Sequence, residues 1–70
     1  SAQVYAAARL LTPKQQAVFI LRDLEGLSAD ETMEALDMSR DQVKGNLFQA
    51  RKKVMEYLKE VYQTNEPDLL

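Results

Sequence analysis

Arg40, Lys44, Arg51, Lys52 and Lys53 stand against Asp41 alone between residues 39 and 53, a local balance of +4 in a chain whose net charge is −2. The flanks are acidic. Residues 1–38 carry three basic and six acidic side chains, and residues 54–70 carry one and four. A basic patch on an acidic domain suits phosphate contact at one face, with repulsion elsewhere orienting the encounter. The alternative from charge alone is a solvated helix surface. Other chemistries are poorly supplied, because the chain has neither cysteine nor histidine. That removes thiolates, disulfides, the usual zinc ligands and the commonest general base. No nucleophile, base and orienting partner converge in the sequence, so neither an enzyme nor a cofactor or metal site is expected.

The cations need an element to present them, and the spacing of serines supplies one. Ser28 is followed three residues later by Glu31, and Ser39 three residues later by Gln42. Each serine can cap a helix start while its partner reaches back. Two helix N-termini eleven residues apart leave room only for an abrupt turn between them. That is helix-turn-helix spacing, and it places the motif at residues 28–53. Thr12 with Gln15 forms a third capping pair, and Pro13 follows at the first helical position, where its missing N–H costs nothing.

Taken in order, residues 2–10 predict a short first helix, with Val4, Ala7, Ala8 and Leu11 at three- and four-residue spacing. Helix two runs from about Pro13 to Leu24. Ala17, Val18, Leu21 and Leu24 share one stripe, widened by Phe19 and Ile20, so it is expected to be the central packing element. Glu25-Gly26 closes it. Helix three covers Ala29 to Leu36, with Asp30 and Glu31 in its first turn, where carboxylates favour the positive end of the dipole. Thr32, Met33 and Leu36 form its inward face. Asp37 stands where glycine is expected, so some backbone strain is predicted there. Helix four begins after Ser39 and runs to about Tyr62, with Val43, Leu47, Ala50, Val54, Tyr57, Leu58 and Val61 on one core stripe. Residues 63–70 have no periodicity and are expected to fray.

In a helix-turn-helix the second helix enters the major groove by its N-terminal half. A groove about 12 Å wide admits one helix, so base readers lie on its outward face near the start. Arg40, Asp41, Lys44, Gly45 and Phe48 meet that condition. Arg40 or Lys44 could reach guanine or phosphate, and Asp41 a cytosine amine. Phe48 could touch a thymine methyl or pack against helix two. Gly45 costs about 1 kcal/mol in a helix relative to alanine, which close approach to DNA would justify. Arg51, Lys52 and Lys53 lie further along, where a docked helix meets phosphate.

The run from Leu11 to Val54 resembles the fourth conserved region of the bacterial sigma factors, most like the extracytoplasmic-function class. The pattern is carried by Leu11, Pro13, Val18, Phe19, Leu21, Arg22, Gly26, Leu27, Ser28, Glu31, Leu36, Ser39, Val43, Lys44, Leu47, Ala50 and Arg51. The resemblance implies a transcription-initiation domain that reads the upstream, minus thirty-five promoter element with its last helix and docks on the flap of RNA polymerase core. Carried over by position, the DNA-facing residues are Arg40, Lys44, Gly45, Asn46, Phe48 and Gln49, with Arg51 near the backbone. On a helical wheel Asn46 falls closer to the core edge. A cup formed by helices two and three would receive the flap, and an anti-sigma factor is a further implied partner. The sequence departs from the pattern where Gly45-Asn46 replaces Ser-Arg, Gln49 replaces arginine, Thr32-Met33 replaces Ile-Ala and Asp37 replaces glycine. Loss of positive charge from the reading face predicts low affinity for DNA alone.

The expected fold is all-α: a four-helix domain over residues 1–62 with a C-terminal helix-turn-helix and a long last helix. Two further readings stay open on the same plan. One is a protein-interaction module with an eroded DNA face. The other is a response-regulator output domain that dimerises through a terminal helix. A soluble, cytoplasmic protein is expected, since no apolar run approaches the roughly 20 residues that span a bilayer. Ser1 in place of an initiating methionine suggests a domain cut from a longer chain.

Overall fold

Ala50 has no exposed surface, and it lies at the middle of the helix against which the rest of the molecule is built. The computed structural model describes residues 2–64, as four α-helices and one π-helical turn. These are α1 (Ala2–Ala8), α2 (Pro13–Phe19), the π turn (Ile20–Leu24), α3 (Ala29–Leu36) and α4 (Arg40–Thr64). α4 packs against α1, α2 and α3, most extensively against α2. The centre of packing is therefore α4 rather than the second helix expected from its apolar circumference. α4 runs 25 residues, about 37 Å at 1.5 Å per residue, and gives every shorter helix a surface to cover.

The core shows why. Val43, Leu47, Ala50 and Val54 follow one another at three- and four-residue spacing and are all buried. They meet Ala7, Ala8 and Leu11 from the first helix and the loop after it, and Val18 and Phe19 from α2. Tyr57 and Leu58 extend the stripe as half-buried residues. α4 continues through Thr64, past the end predicted near Tyr62. The remainder of the expected tail lies outside the described residues.

Helix starts are held by reciprocal hydrogen bonds. The Thr12 hydroxyl accepts from the Gln15 amide and the Gln15 side chain accepts from the Thr12 amide, both at 3.2 Å. Ser28 and Glu31 repeat the exchange at 3.0 and 2.8 Å, and Ser39 and Gln42 at 3.1 and 2.8 Å. Thr32, fully buried, loses nothing by its hydroxyl, which donates to the Ser28 carbonyl at 2.8 Å.

The segment predicted as the end of one α-helix is different in kind. From Ile20 the chain forms a π turn, in which the Glu25 amide donates to the Ile20 carbonyl at 2.8 Å. Gly26 then takes φ +77°, the left-handed region that glycine enters without penalty. The turn between α3 and α4 uses that region too, but without glycine: Asp37 has φ 55° and ψ 50°. The amides of Asp37 and Met38 both donate to the Met33 carbonyl, so α3 closes properly at a conformational cost. Asp37→Gly should stabilise the domain by a few tenths to about 1 kcal/mol, raising Tm by a few degrees in a calorimetric or circular-dichroism melt. A Tm that stays level or drops contradicts the strain.

Candidate nucleic-acid interface

With Val43, Leu47, Ala50 and Val54 turned inward, the residues one step further along α4 form a strip at the surface. Lys44, Phe48, Arg51 and Met55 follow the same three- and four-residue spacing, with Lys52 beside Arg51. This strip borders an open groove of about 540 Å³. Its apolar lining is Leu47, Phe48 and Met55, and its cations are Lys44, Arg51, Lys52 and Arg22, the last from the π turn. Phe48 is 65% exposed and Met55 61%. The expected partial packing of Phe48 against helix two leaves most of the residue in solvent, on a groove it shares with lysines and arginines.

The cations fall into two groups. Among the described residues Lys44 and Lys52 have no hydrogen-bond or ion-pair partner, and both are exposed. The arginines are engaged. Arg40 Nη2 donates to Asp30 of α3. Arg51 grips Asp23 with two parallel bonds, Nε to Oδ2 at 2.8 Å and Nη2 to Oδ1 at 2.7 Å. Lys53 faces away from the groove's lining and donates to Gln15 of α2 at 3.0 Å.

The other expected DNA-facing residues are distributed along α4. Arg40 and Asp41 lie in its first turn. Gly45 is exposed, and a methyl group placed there would meet nothing within 4 Å, so no packing inside the protein requires glycine. Gln49 is exposed as well. Asn46 is half-buried, and its Nδ2 is committed to the Gln42 carbonyl at 2.8 Å. The structure thus brings Lys44, Phe48, Arg51 and Lys52 together and leaves Arg40, Gly45, Asn46 and Gln49 outside that groove. Arg22 and Met55 were missed as members of it. Met55 could have been found, since it lies three residues past Lys52 and seven past Phe48 on one helical strip. Arg22 could not, because a π turn places it.

The bidentate pair carries an electrostatic signature. The hydrogen bond from Arg51 holds the Asp23 carboxyl below its ordinary value of 3.8; partial burial opposes this, and the charges of Arg51 and Arg22 add to it. Because the carboxyl titrates lower in the folded chain than in the unfolded one, its stabilising contribution is complete above about pH 4. It is withdrawn as the pH falls through the lowered native value. Asp23→Asn should therefore lower Tm at neutral pH and converge on the wild type as the pH falls through the carboxyl's lowered native value. A Tm difference that is independent of pH over that window contradicts the assignment.

Two capped helices joined by three residues, with the second presenting exposed cations from its outer face, define a helix-turn-helix domain. Residues 1–54 match the family described as sigma-70, region 4. The RNA polymerase sigma-E factor of Streptomyces antibioticus is 42% identical over 52 residues, which is 74% of this chain and 29% of that protein. No solved structure matches the chain. The chain belongs to the sigma-70 region 4 family of non-enzymatic, DNA-binding transcription-initiation domains, of the extracytoplasmic-function type that its motifs resemble. It spans less than a third of the relative it matches.

Proposed function

We propose that this chain reads the upstream, minus thirty-five promoter element through the outward face of α4 and docks on RNA polymerase through α2, the π turn and α3. The observation that carries the DNA reading is the exposed Phe48 between two lysines, Lys44 and Lys52, that no acidic group of the described residues neutralises. Lys44 and Gly45 lie in the N-terminal half of α4, the part of such a helix that meets base edges. Arg40 reaches the same edges once it leaves Asp30, while Arg51 and Lys52, further along, meet backbone phosphate. Half-buried Ile20, Leu21 and Leu27, in the π turn and the loop after it, supply apolar surface for the polymerase flap. Among the described residues no helix is long and apolar enough to cross a membrane.

The test is a fluorescence-anisotropy titration of the 70-residue chain against a randomised pool of short duplexes at two salt concentrations, with bound and unbound fractions sequenced. An enriched motif with a salt slope of a few phosphates supports the reading. Absence of binding even at low salt rejects it. That second outcome favours a protein-interaction module of the same fold, for which the engagement of both Arg40 and Arg51 by aspartates is the supporting observation. Such a module would bind polymerase or an anti-sigma factor after charge reversal at Lys44 and Lys52, and lose that binding with half-buried Leu24 changed; Phe19, the other residue the sequence suggests for this test, is buried in the core and reports on the fold instead.

A further inference from the structure

Arg51 is a cation whose orientation is set by another residue before any ligand arrives. A guanidinium carries five N–H donors in one rigid plane. Asp23 engages one on Nε and one on Nη2, which leaves three. The side chain of Arg51 is 55% exposed against 24% for Asp23, so the carboxylate is the covered partner and the guanidinium the presented one. Arg51 lines the groove beside Phe48 and Lys52. The ion pair leaves its remaining donors for a ligand in that groove.

The π turn puts Asp23 where it can do this. A π turn accommodates one more residue than an α turn, so residues within Ile20–Leu24, Arg22 and Asp23 among them, are rotated progressively away from where an uninterrupted α-helix would carry them. The neighbouring Arg22 is fixed in the same turn by donating to the Leu27 carbonyl at 2.6 Å, and it too lines the groove. Single π turns within helices occur frequently at functional sites.

We propose that Asp23 is a positioning residue for DNA contact: it clamps the Arg51 guanidinium so that its free edge meets one backbone phosphate and sets the register of α4 in the major groove. This rests on the DNA reading above. Two consequences follow with opposite sign. The carboxylate subtracts one negative charge's worth of attraction for any phosphate, so it weakens binding to DNA of every sequence. It also spares Arg51 the ordering that a loose side chain undergoes on binding, and phosphate contacts fixed in this way hold a protein in register over the bases it reads. Affinity for random DNA and discrimination between sequences should therefore move in opposite directions when Asp23 is neutralised. A staple that served the fold alone would move neither in that pattern.

The experiment compares the wild type, Asp23→Asn, Arg51→Lys and the exchange Asp23→Arg with Arg51→Asp, each titrated against the duplex selected from the pool and a scrambled duplex of equal length. Asp23→Asn should bind the scrambled duplex about two- to fivefold more tightly, with a salt slope steeper by up to about one. Its ratio of selected to scrambled affinity should fall about tenfold. Arg51→Lys, which keeps the charge and loses the fork, should lower the ratio as well. The exchange should recover the Tm of the wild type and not the ratio, because the cation then sits on the π turn. An unchanged ratio in Asp23→Asn and Arg51→Lys, or one restored by the exchange, overturns the proposal while leaving the DNA reading intact. A wild type without any preference between the duplexes overturns both.

Discussion

Phe19→Ala should remove most of the stability of this domain. Phe19 is buried where α2 gives way to the π turn, and it packs in the cluster that holds α2 on Val43, Leu47 and Ala50 of α4. Truncating a buried phenylalanine costs about 3–5 kcal/mol through lost transfer free energy and the cavity left behind. A chain of this length is stable by only about 4–10 kcal/mol. The variant should lose its cooperative melt at 37 °C or melt at least about 12 °C lower, as followed by circular dichroism at 222 nm. DNA binding should fall with the folded fraction, because α4 is held in its pose by this cluster. Phe19→Leu, which keeps most of the volume, should cost less than about 1.5 kcal/mol and retain binding. A melt of Phe19→Ala within a few degrees of the wild type would show that the contact between α2 and α4 does not carry the fold.

The second large effect is on binding with the fold left alone. Lys44 and Lys52 are exposed and unpartnered among the described residues, so Lys44→Glu and Lys52→Glu should each change stability by no more than about 0.5 kcal/mol. Their effects on DNA should differ in kind. Lys44, in the N-terminal half of α4, should cost about 1–3 kcal/mol and relax the preferred base at one position. Lys52, two turns further along, should weaken all sequences by a similar factor and reduce the salt slope by about one. The double variant should not bind measurably at 150 mM salt. Anisotropy titrations on selected and scrambled duplexes at two salt concentrations separate the cases. Equal losses on both duplexes for both variants would place Lys44 on phosphate rather than on a base.

Much of this fold was legible because its punctuation is local. Thr12-Pro13, Ser28 with Glu31, and Ser39 with Gln42 each mark a helix start with groups that lie within four residues of one another, and the caps close as local geometry requires. The stripe Val43, Leu47, Ala50 and Val54 could be read from spacing alone, since the same rotation per residue governs sequence and structure. Asp37 was legible as an exception for the same reason, and it has the positive φ that the missing glycine implied.

What could not be read depends on partners distant in sequence. Asp23 and Arg51 are 28 residues apart and Asp30 and Arg40 ten, and no periodicity relates them. Their pairing turns a patch of five cations into two lysines unpartnered among the described residues, two bound arginines and a lysine on the opposite flank. The π turn left no mark either, since Ile20-Leu21-Arg22-Asp23-Leu24 is as good an α-helical segment as the residues before it. Phe48 was ambiguous because an aromatic residue beside a core stripe can turn inward or outward, and only the course of α2 across α4 decides. The candidate site was therefore visible as a set of cations on one helix, and its internal organisation was not.

The central claim is that the outward face of α4 meets DNA. It is tested most directly by titrating the ¹⁵N-labelled chain with the selected duplex at low salt and following amide chemical shifts residue by residue. Shifts concentrated between Arg40 and Lys52, largest at Lys44, Gly45 and Phe48 and small in α1, are the expected result. Shifts confined to α2, the π turn and α3, with α4 unmoved, would contradict it and assign this domain to protein partners.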